Sequence, residues 1–283
     1  MSPGKVNSDS FGRVVLLGWL AVVAVAISAA VLIQFSRSQA PADSGDGWTV
    51  RPATSTPATR PTDKTFSVAY WNIASARTGE DKIAAAIAAF DIVGLSEVRG
   101  QDQLQNLASL TNSNGLFAPT ELQGFDAHFG NAVLGKLPID YWQRVPLKPG
   151  PRASHFRNVV LTRVDVSPGN SVTVLTTHID RTIDRVAQLR SVLKLFDSLA
   201  PPAVLMGDFN TTRDDALLNA AIADGITIDP HRGQAVTKWT DSNRIDWMLV
   251  KGLTVVESGL HDQGESDHPM IWARLAIAGS VSR

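Results

Sequence analysis

The sequence predicts a mixed α/β domain of many short strands and only a few helices. Two observations carry that expectation. Apolar runs of strand length end abruptly in polar residues: Ala203-Val204-Leu205-Met206 opens into Gly207-Asp208-Phe209-Asn210, and Ile92-Val93-Gly94-Leu95 opens into Ser96-Glu97. Runs bounded this way read as buried strands whose ends lead into polar loops. Helical spacing of apolar residues, by contrast, is confined to short segments near residues 80–90, 101–112, 181–199 and 213–224.

The bulk numbers bound what such a chain can do. With 283 residues, 44% of them hydrophobic, there is material for one large domain plus an appendage. The formal net charge of -1 provides no global field toward nucleic acid or an anionic membrane, so any anion binding must be local. The absence of cysteine excludes disulfides, thiolate catalysis and cysteine-based zinc or iron–sulfur sites, and leaves the redox compartment undetermined.

Taken in order, residues 1–13 are a short N-terminal segment and residues 14–35 a membrane span. Residues 14–33 carry no charge and are long enough to cross a hydrocarbon core of roughly 30 Å as a helix. A cleaved signal peptide ending near Ser28-Ala29-Ala30 is the competing reading, against which the length of the apolar run argues. Lys5 and Arg13 before the run, against Arg37, Asp43 and Asp46 after it, point to a cytoplasmic N-terminus. That makes a single-pass protein of the cell membrane, held by its N-terminal helix in the lipid bilayer, with the remainder on the extracytoplasmic side. Residues 36–63, rich in Ser, Pro, Ala and Thr, read as a flexible tether. The folded domain is then expected over residues 64–279.

Within it, residues 65–73 alternate as a strand with Asn72 near its end, where a buried amide must find partners. Residues 91–98 form a strand with the Glu97 carboxylate at its tip. Residues 130–138 read as a turn, a short strand and a second turn. Between residues 146 and 157 lies a loop with Lys148, Arg152, His155 and Arg157 and no acid, the one local basic cluster of note. Residues 158–166 and 171–177 are Val/Thr-rich strands, the second ending at His178. A lone histidine there is more often structural than catalytic. In the helix near residues 181–199, Val186, Leu189, Val192, Leu193, Leu195 and Phe196 are expected to face inward. Asp208 and Asn210 together suit a metal, a water or a phosphate oxygen, although an Asx turn before the next helix explains them equally well. Asp246 places a carboxylate in an otherwise apolar strand, and Asp267-His268 precedes the last one.

Each feature is weak alone, but their order is informative. Trp71-Asn72-Ile73, Leu95-Ser96-Glu97, Gly130-Asn131-Ala132-Val133-Leu134, Thr177-His178-Ile179-Asp180, Gly207-Asp208-Phe209-Asn210, Arg244-Ile245-Asp246 and Ser266-Asp267-His268 span the whole domain. The set resembles the endonuclease/exonuclease/phosphatase family, which includes DNase I-like nucleases, abasic-site endonucleases, inositol polyphosphate 5-phosphatases and neutral sphingomyelinases. The resemblance implies a four-layer α/β sandwich, two mainly antiparallel sheets face to face with helices outside. It also implies Mg²⁺, with Mn²⁺ as the second choice, and cleavage of a phosphate ester by water.

By the same resemblance Glu97, Asn72 and Asp267 form the metal site, and Asp208 orients or activates the attacking water. Asn210 holds a phosphate oxygen, His268 meets the phosphate as its imidazolium with Asp246 behind it, and His178 assists as an acid or phosphate ligand. Asn131, Arg152 and Arg157 are assigned to substrate binding. The chemistry suits these residue types, because a phosphodiester repels an anionic nucleophile and needs positive charge, an oriented water and a stabilised transition state. The chain departs from the family at Ala74, where some repair enzymes carry an acid, at Ser96, often Gln, and at Gly135, often Ser. The first departure weakens a repair role; the Glu97 carboxylate survives the second.

The expected activity is metal-dependent hydrolysis of phosphodiesters, with phosphomonoesters less favoured and a nuclease-like substrate ahead of a phospholipid headgroup as in sphingomyelinases. The reading from another class is a tethered binding module without turnover, which would not need every position of this machinery filled. No protein partner is expected.

Overall fold

In the strand Thr65–Asn72 the side chains divide by parity: Phe66, Val68 and Tyr70 join one buried cluster, Ala69 and Trp71 another. A strand buried on both faces must lie in the interior layer of a multilayer fold. The computed structural model describes residues 48–50, 65–74, 77–122, 128–148, 157–223, 227–262 and 264–277. Among these, seven strands form one sheet in the order β1 (Trp48–Val50), β4 (Asn114–Leu122), β5 (His128–Gly135), β3 (Ile92–Arg99), β2 (Thr65–Asn72), β13 (Met270–Ile277) and β12 (Leu253–His261). Six form a second, in the order β10 (Thr227–Ile228), β11 (Asp246–Lys251), β9 (Ala203–Asp208), β8 (Asn170–His178), β7 (Asn158–Ser167) and β6 (Ile139–Pro146).

The sheets face each other across a core that includes Phe66, Val68 and Ile92 from one and Val174, Val204, Met206 and Met248 from the other. Gly94 permits this approach, since a Cβ there would stand 2.7 Å from Thr176 Oγ1 and 2.9 Å from Met206 Cε. Outside the larger sheet lie α1 (Glu80–Ile87) and α2 (Gly100–Thr111), burying Ile83, Ile87, Leu104 and Leu107 against Trp71, Val93 and Leu95. Outside the smaller sheet lie α3 (Arg185–Ser198) and α4 (Ala216–Ala223), with Leu189, Val192, Phe196 and Leu218 against Leu175, Leu205 and Leu249. The arrangement is an α/β sandwich of two mixed sheets flanked by helices. Each sheet is antiparallel except for one central pair, β2 with β3 and β8 with β9. Parallel neighbours need a crossover, which α1 supplies in one sheet and α3 in the other.

Several local expectations shift. Helix α3 begins at Arg185, after turns over residues 181–184, and Val186 in its first turn remains 43% exposed instead of facing inward. Helix α4 begins at Ala216 and not near residue 213, because the Asp215 carboxylate accepts the Leu217 and Leu218 amides at 2.9 and 3.3 Å and caps it. The short strand expected within residues 130–138 is the eight-residue β5. Inside the stretch read as a tether, the Trp-Thr-Val tripeptide of β1 pairs with β4 at the sheet edge, as aromatic and β-branched residues favour. The apolar run of residues 14–33 lies outside the described residues. Among those described, no helix is long and apolar enough to cross a membrane.

Candidate active site

The topology gathers polar strand ends at one edge. Parallel neighbours finish on the same side, and their antiparallel neighbours start there. Asn72 closes β2, His178 closes β8, Asp208 closes β9 and Asp246 opens β11. In the smaller sheet the register sets His178, Asp208 and Asp246 side by side, His178 opposite Asp208 and Asp208 opposite Asp246. The larger sheet faces them with Asn72, with Glu97 near the end of β3, and with His268 just ahead of β13.

Asn72 links the two halves. Its Nδ2 donates to Glu97 Oε1 at 3.2 Å and to Asp208 Oδ2 at 3.1 Å, so both carboxylates converge on one amide nitrogen. The Asn72 Oδ1 is occupied locally, accepting the Ala74 amide at 3.0 Å. Around Asp208 Oδ2 stand two imidazole nitrogens, His178 Nε2 at 3.4 Å and His268 Nε2 at 3.9 Å. The other ring nitrogen of His268, Nδ1, lies 2.9 Å from Asp246 Oδ2. Asp208 Oδ1 accepts the Asn210 amide at 2.8 Å, while Asn210 Nδ2 donates to the Ile179 carbonyl at 3.1 Å.

Backbone strain is concentrated here. Glu97 has φ 63°, inside the irregularity of register between Leu95 and Val98 that rotates its carboxylate toward Asn72. Asn210 has φ 46°. Left-handed non-glycine residues cost about 1–3 kcal/mol and persist where surrounding structure enforces them.

Burial dominates the electrostatics. It pushes the Asp208 carboxyl up to about 7, helped by the Asp246 charge and opposed by His268 and the Asn210 amide. Burial likewise raises Asp246, against the pull of His268. For His268, burial acts downward, but the charge and hydrogen bond of Asp246, followed by Asp208 and Asp267, outweigh it and hold the imidazole at about 10. At neutral pH the site therefore contains an imidazolium locked to one carboxylate beside a second carboxyl close to its midpoint.

Other residues shape the cluster, and two of them, Tyr70 and Trp239, belong to none of the sequence motifs. Trp239 packs against the His268 ring in an edge-on contact with centroids 5.4 Å apart. Trp71 Nε1 donates to the His268 carbonyl at 2.9 Å; Ser266 Oγ accepts the His268 amide at 3.1 Å and donates to the Asn72 carbonyl at 2.6 Å. Tyr70 Oη accepts the Asp208 amide at 2.8 Å. A signal for Tyr70 existed in the parity of β2, which turns its hydroxyl inward. For Trp239, remote in sequence, there was none.

Asn131, Asp267 and Arg157 differ in burial and partners from the cluster around Asp208. Asn131 is fully buried between the sheets, its amide bound to Ser96 Oγ and to Asn158. Asp267 has its side chain exposed, 3.9 Å from Arg77. Arg157 is buried, with its carbonyl accepting the Leu147 amide at 2.8 Å. Arg152 and His155 lie outside the described residues.

The donor set bears on a metal. Asp208, Asp246 and His268 offer ligand atoms within 4.8 Å of one another. A metal-bound imidazole must be unprotonated, however, and the pairing with Asp246 favours the proton on His268. Glu97, partly exposed and sharing the Asn72 amide with Asp208, better fits a hard cation that takes one or two carboxylates and keeps its waters.

Comparison with known proteins agrees with this architecture. Residues 69–268 match the Endonuclease/Exonuclease/phosphatase family. No curated protein matches the sequence. Among solved structures, an endonuclease/exonuclease/phosphatase from Beutenbergia cavernae is 27% identical with a TM-score of 0.63, covering 77% of this chain and 73% of its own. A mannosyl-6-phosphatase from Bacteroides thetaiotaomicron is 18% identical with a TM-score of 0.58, over 75% of this chain and all of its own, 100%. D. rerio TDP2 complexed with a single-strand DNA product is 18% identical with a TM-score of 0.57, over 75% and 99%.

Proposed function

The chain belongs to the endonuclease/exonuclease/phosphatase family, and on that premise we propose that it hydrolyses phosphodiesters with the help of a divalent cation. One observation carries the proposal: the Asn72 amide and the His178 and His268 imidazoles, drawn from both sheets, converge on Asp208 Oδ2. A carboxyl held at about 7 is matched to removing a proton from water near neutral pH, which is the role of Asp208. His268, kept as the imidazolium by Asp246, offers Nε2–H to a phosphoryl oxygen as negative charge builds there. His178, on the other side of Asp208, hydrogen-bonds the phosphate or protonates the departing oxygen. Asn210 has a second amide hydrogen beyond the one given to Ile179, and directs it to a phosphate oxygen. Glu97 would hold Mg²⁺ or Mn²⁺, with Asn72, whose Oδ1 accepts the Ala74 amide, orienting that carboxylate through Nδ2, and Asp267 would act only through the outer waters. The bound cation supplies positive charge against the phosphoryl group.

Titrating Mg²⁺ into the full-length chain with bis-p-nitrophenyl phosphate tests this. Chelator-sensitive hydrolysis is expected, with kcat lowered roughly 10²- to 10⁴-fold in Asp208→Ala and in His268→Ala while the fold is kept. Full activity in both variants refutes the assignment.

We propose nucleic acid as the first substrate class, on the exposed Arg181 and the half-buried Arg185 that follow His178. A lipid headgroup is the second, favoured by Ile183 and Val186, 63% and 43% exposed on the same segment. Hydrolysis of single-stranded DNA set against sphingomyelin vesicles separates the two, and activity on vesicles alone removes the first.

The organisation proposed with it is an anchor at residues 14–35, a tether around β1 within residues 36–63, and a catalytic domain over residues 64–279 outside the cytoplasm. The motive is the uncharged run of residues 14–33. Recovery of the full-length chain in the soluble fraction of expressing cells would contradict it.

A further inference from the structure

The two sheets each bring half of the site, so something must hold the halves in register to a fraction of an ångström. Tyr70 occupies the seam. It stands on β2 in the larger sheet, is fully buried, and its Oη accepts the backbone amide of Asp208 on β9 in the smaller sheet at 2.8 Å. The same hydroxyl donates to Ser96 Oγ at 2.7 Å, and Ser96 Oγ donates to Asn131 Oδ1 at 3.0 Å. Asn131 Nδ2 then donates to the Asn158 carbonyl and Oδ1 at 3.1 and 3.2 Å, and Asn158 Nδ2 to the Pro119 carbonyl at 2.8 Å. Thr177 Oγ1, one residue before His178, donates to the same Asn158 carbonyl at 2.9 Å.

From the Asp208 amide through Tyr70, Ser96, Asn131 and Asn158 to the Pro119 carbonyl on β4 each group donates to the next, with Thr177 joining from the side, and Tyr70, Ser96, Asn131 and Asn158 are all buried to within 1%. Hydrogen bonds aligned in series in a low-dielectric interior strengthen one another, and a missing member leaves a buried group unsatisfied. A row of polar side chains between two otherwise apolar faces is costly to keep unless fully paired.

We propose that Tyr70 is a positioning residue for the hydrolytic reaction, fixing the Asp208 peptide from the opposite sheet through this one-way polar row. The inference rests on the phosphoesterase reading for its kinetic consequence and on geometry alone for the contact. Asp208 has only its two side-chain oxygens to place between Asn72 and the imidazoles. With its peptide anchored at Tyr70, those oxygens are aimed by the larger sheet as well as by β9. The row also gives Asn131 a part: through Ser96 and Asn158 it braces the site from behind.

Tyr70→Phe keeps the ring and deletes one hydroxyl; Ser96→Ala keeps the tyrosine and removes its acceptor. Hydrogen exchange of the full-length chain, followed by mass spectrometry on peptides spanning residues 203–210, reads the contact directly. Tyr70→Phe should exchange one more amide there, at least tenfold faster than in the unsubstituted chain, with peptides of α3 unchanged. With Mg²⁺ and bis-p-nitrophenyl phosphate, kcat should fall about tenfold with KM within twofold, the size expected for one misplaced interaction. Ser96→Ala should fall in the same direction by less. Unchanged exchange over residues 203–210 overturns the contact whatever the activity. Faster exchange with kcat unchanged in Tyr70→Phe overturns the positioning role. An unsubstituted chain that hydrolyses no phosphoester removes the functional premise instead, and the exchange result alone then decides whether Tyr70 anchors Asp208.

Discussion

Asp208→Asn should make the metal-free protein more stable in the pH range where it would otherwise work. The Asp208 carboxyl, ordinarily near 3.8, is held at about 7 because burial outweighs its favourable contacts. A raised carboxyl favours the protonated folded form, so its contribution is fully present below about pH 4 and is lost as pH rises through 7. Between those limits the folded state holds a proton that the unfolded chain has released, and unfolding free energy falls by about 1.4 kcal/mol per pH unit. Over the roughly three units involved this amounts to about 4 kcal/mol, and about half of that remains if the Asp246–His268 pair shares the titration. Asparagine does not titrate. Its amide nitrogen would face Asn72 Nδ2, now 3.1 Å from Asp208 Oδ2, at a pH-independent cost of about 1 kcal/mol. The sensitive quantity is therefore the difference in slope between the two proteins and not their stability at one pH. Urea unfolding in chelator at pH 4, 6 and 8 should show Asp208→Asn gaining about 2–4 kcal/mol on the parent between the extremes. Parallel curves for the two proteins would mean that Asp208 is ordinarily acidic in the fold, and its role as a base near neutral pH would fall with that.

Three further outcomes follow from particular contacts. Asp246→Asn removes the group that most raises His268, whose imidazole stands at about 10; the alkaline limb of kcat/KM should move down by about two units or more, and an unmoved limb would separate that limb from His268. Gly94→Ala places a Cβ 2.7 Å from Thr176 Oγ1 and should cost about 1–3 kcal/mol in urea unfolding, whereas parental stability would show that the sheets can part there. Lys251 is buried and donates to the carbonyls of Phe196 and Asp197 at 2.8 and 3.0 Å, closing the end of α3; Lys251→Met should lose about 1.5–3 kcal/mol of stability with kcat unchanged, and a fall in kcat would tie that helix end to the site.

What the sequence reveals, and what it hides, differs by element. Strands buried on both faces announce themselves as apolar runs, and residues 65–73 and 91–98 can be placed almost to the residue. Edge strands do not: β12 has only Leu253 fully buried among nine residues, and pairing rather than composition makes it a strand. The motif residues at strand ends were legible because a carboxylate or amide after an apolar run is anomalous. Facing direction was not legible. Asn131 sits in a run, Gly130-Asn131-Ala132-Val133-Leu134, without alternation, and only the fold reveals that it points between the sheets. Trp239 reaches His268 across some thirty residues through loop packing, which no period in the sequence encodes.

The location of the site on the seam also explains why its acids are buried. A site on one sheet face would expose its carboxylates to water and leave them near 4, too weak to take a proton at neutral pH. Enclosure between two sheets removes that water and raises both Asp208 and Asp246, which destabilises the fold. The offset is local: the imidazolium of His268 lies within 2.9 Å of Asp246 and 3.9 Å of Asp208, and the Asn72 amide ties Asp208 to Glu97. Each of these contacts comes from the larger sheet to an acid of the smaller one or bridges the two. The groups that tune the acids are thus the same groups that hold the sheets in register, and a substitution that loosens the seam should alter protonation and geometry together.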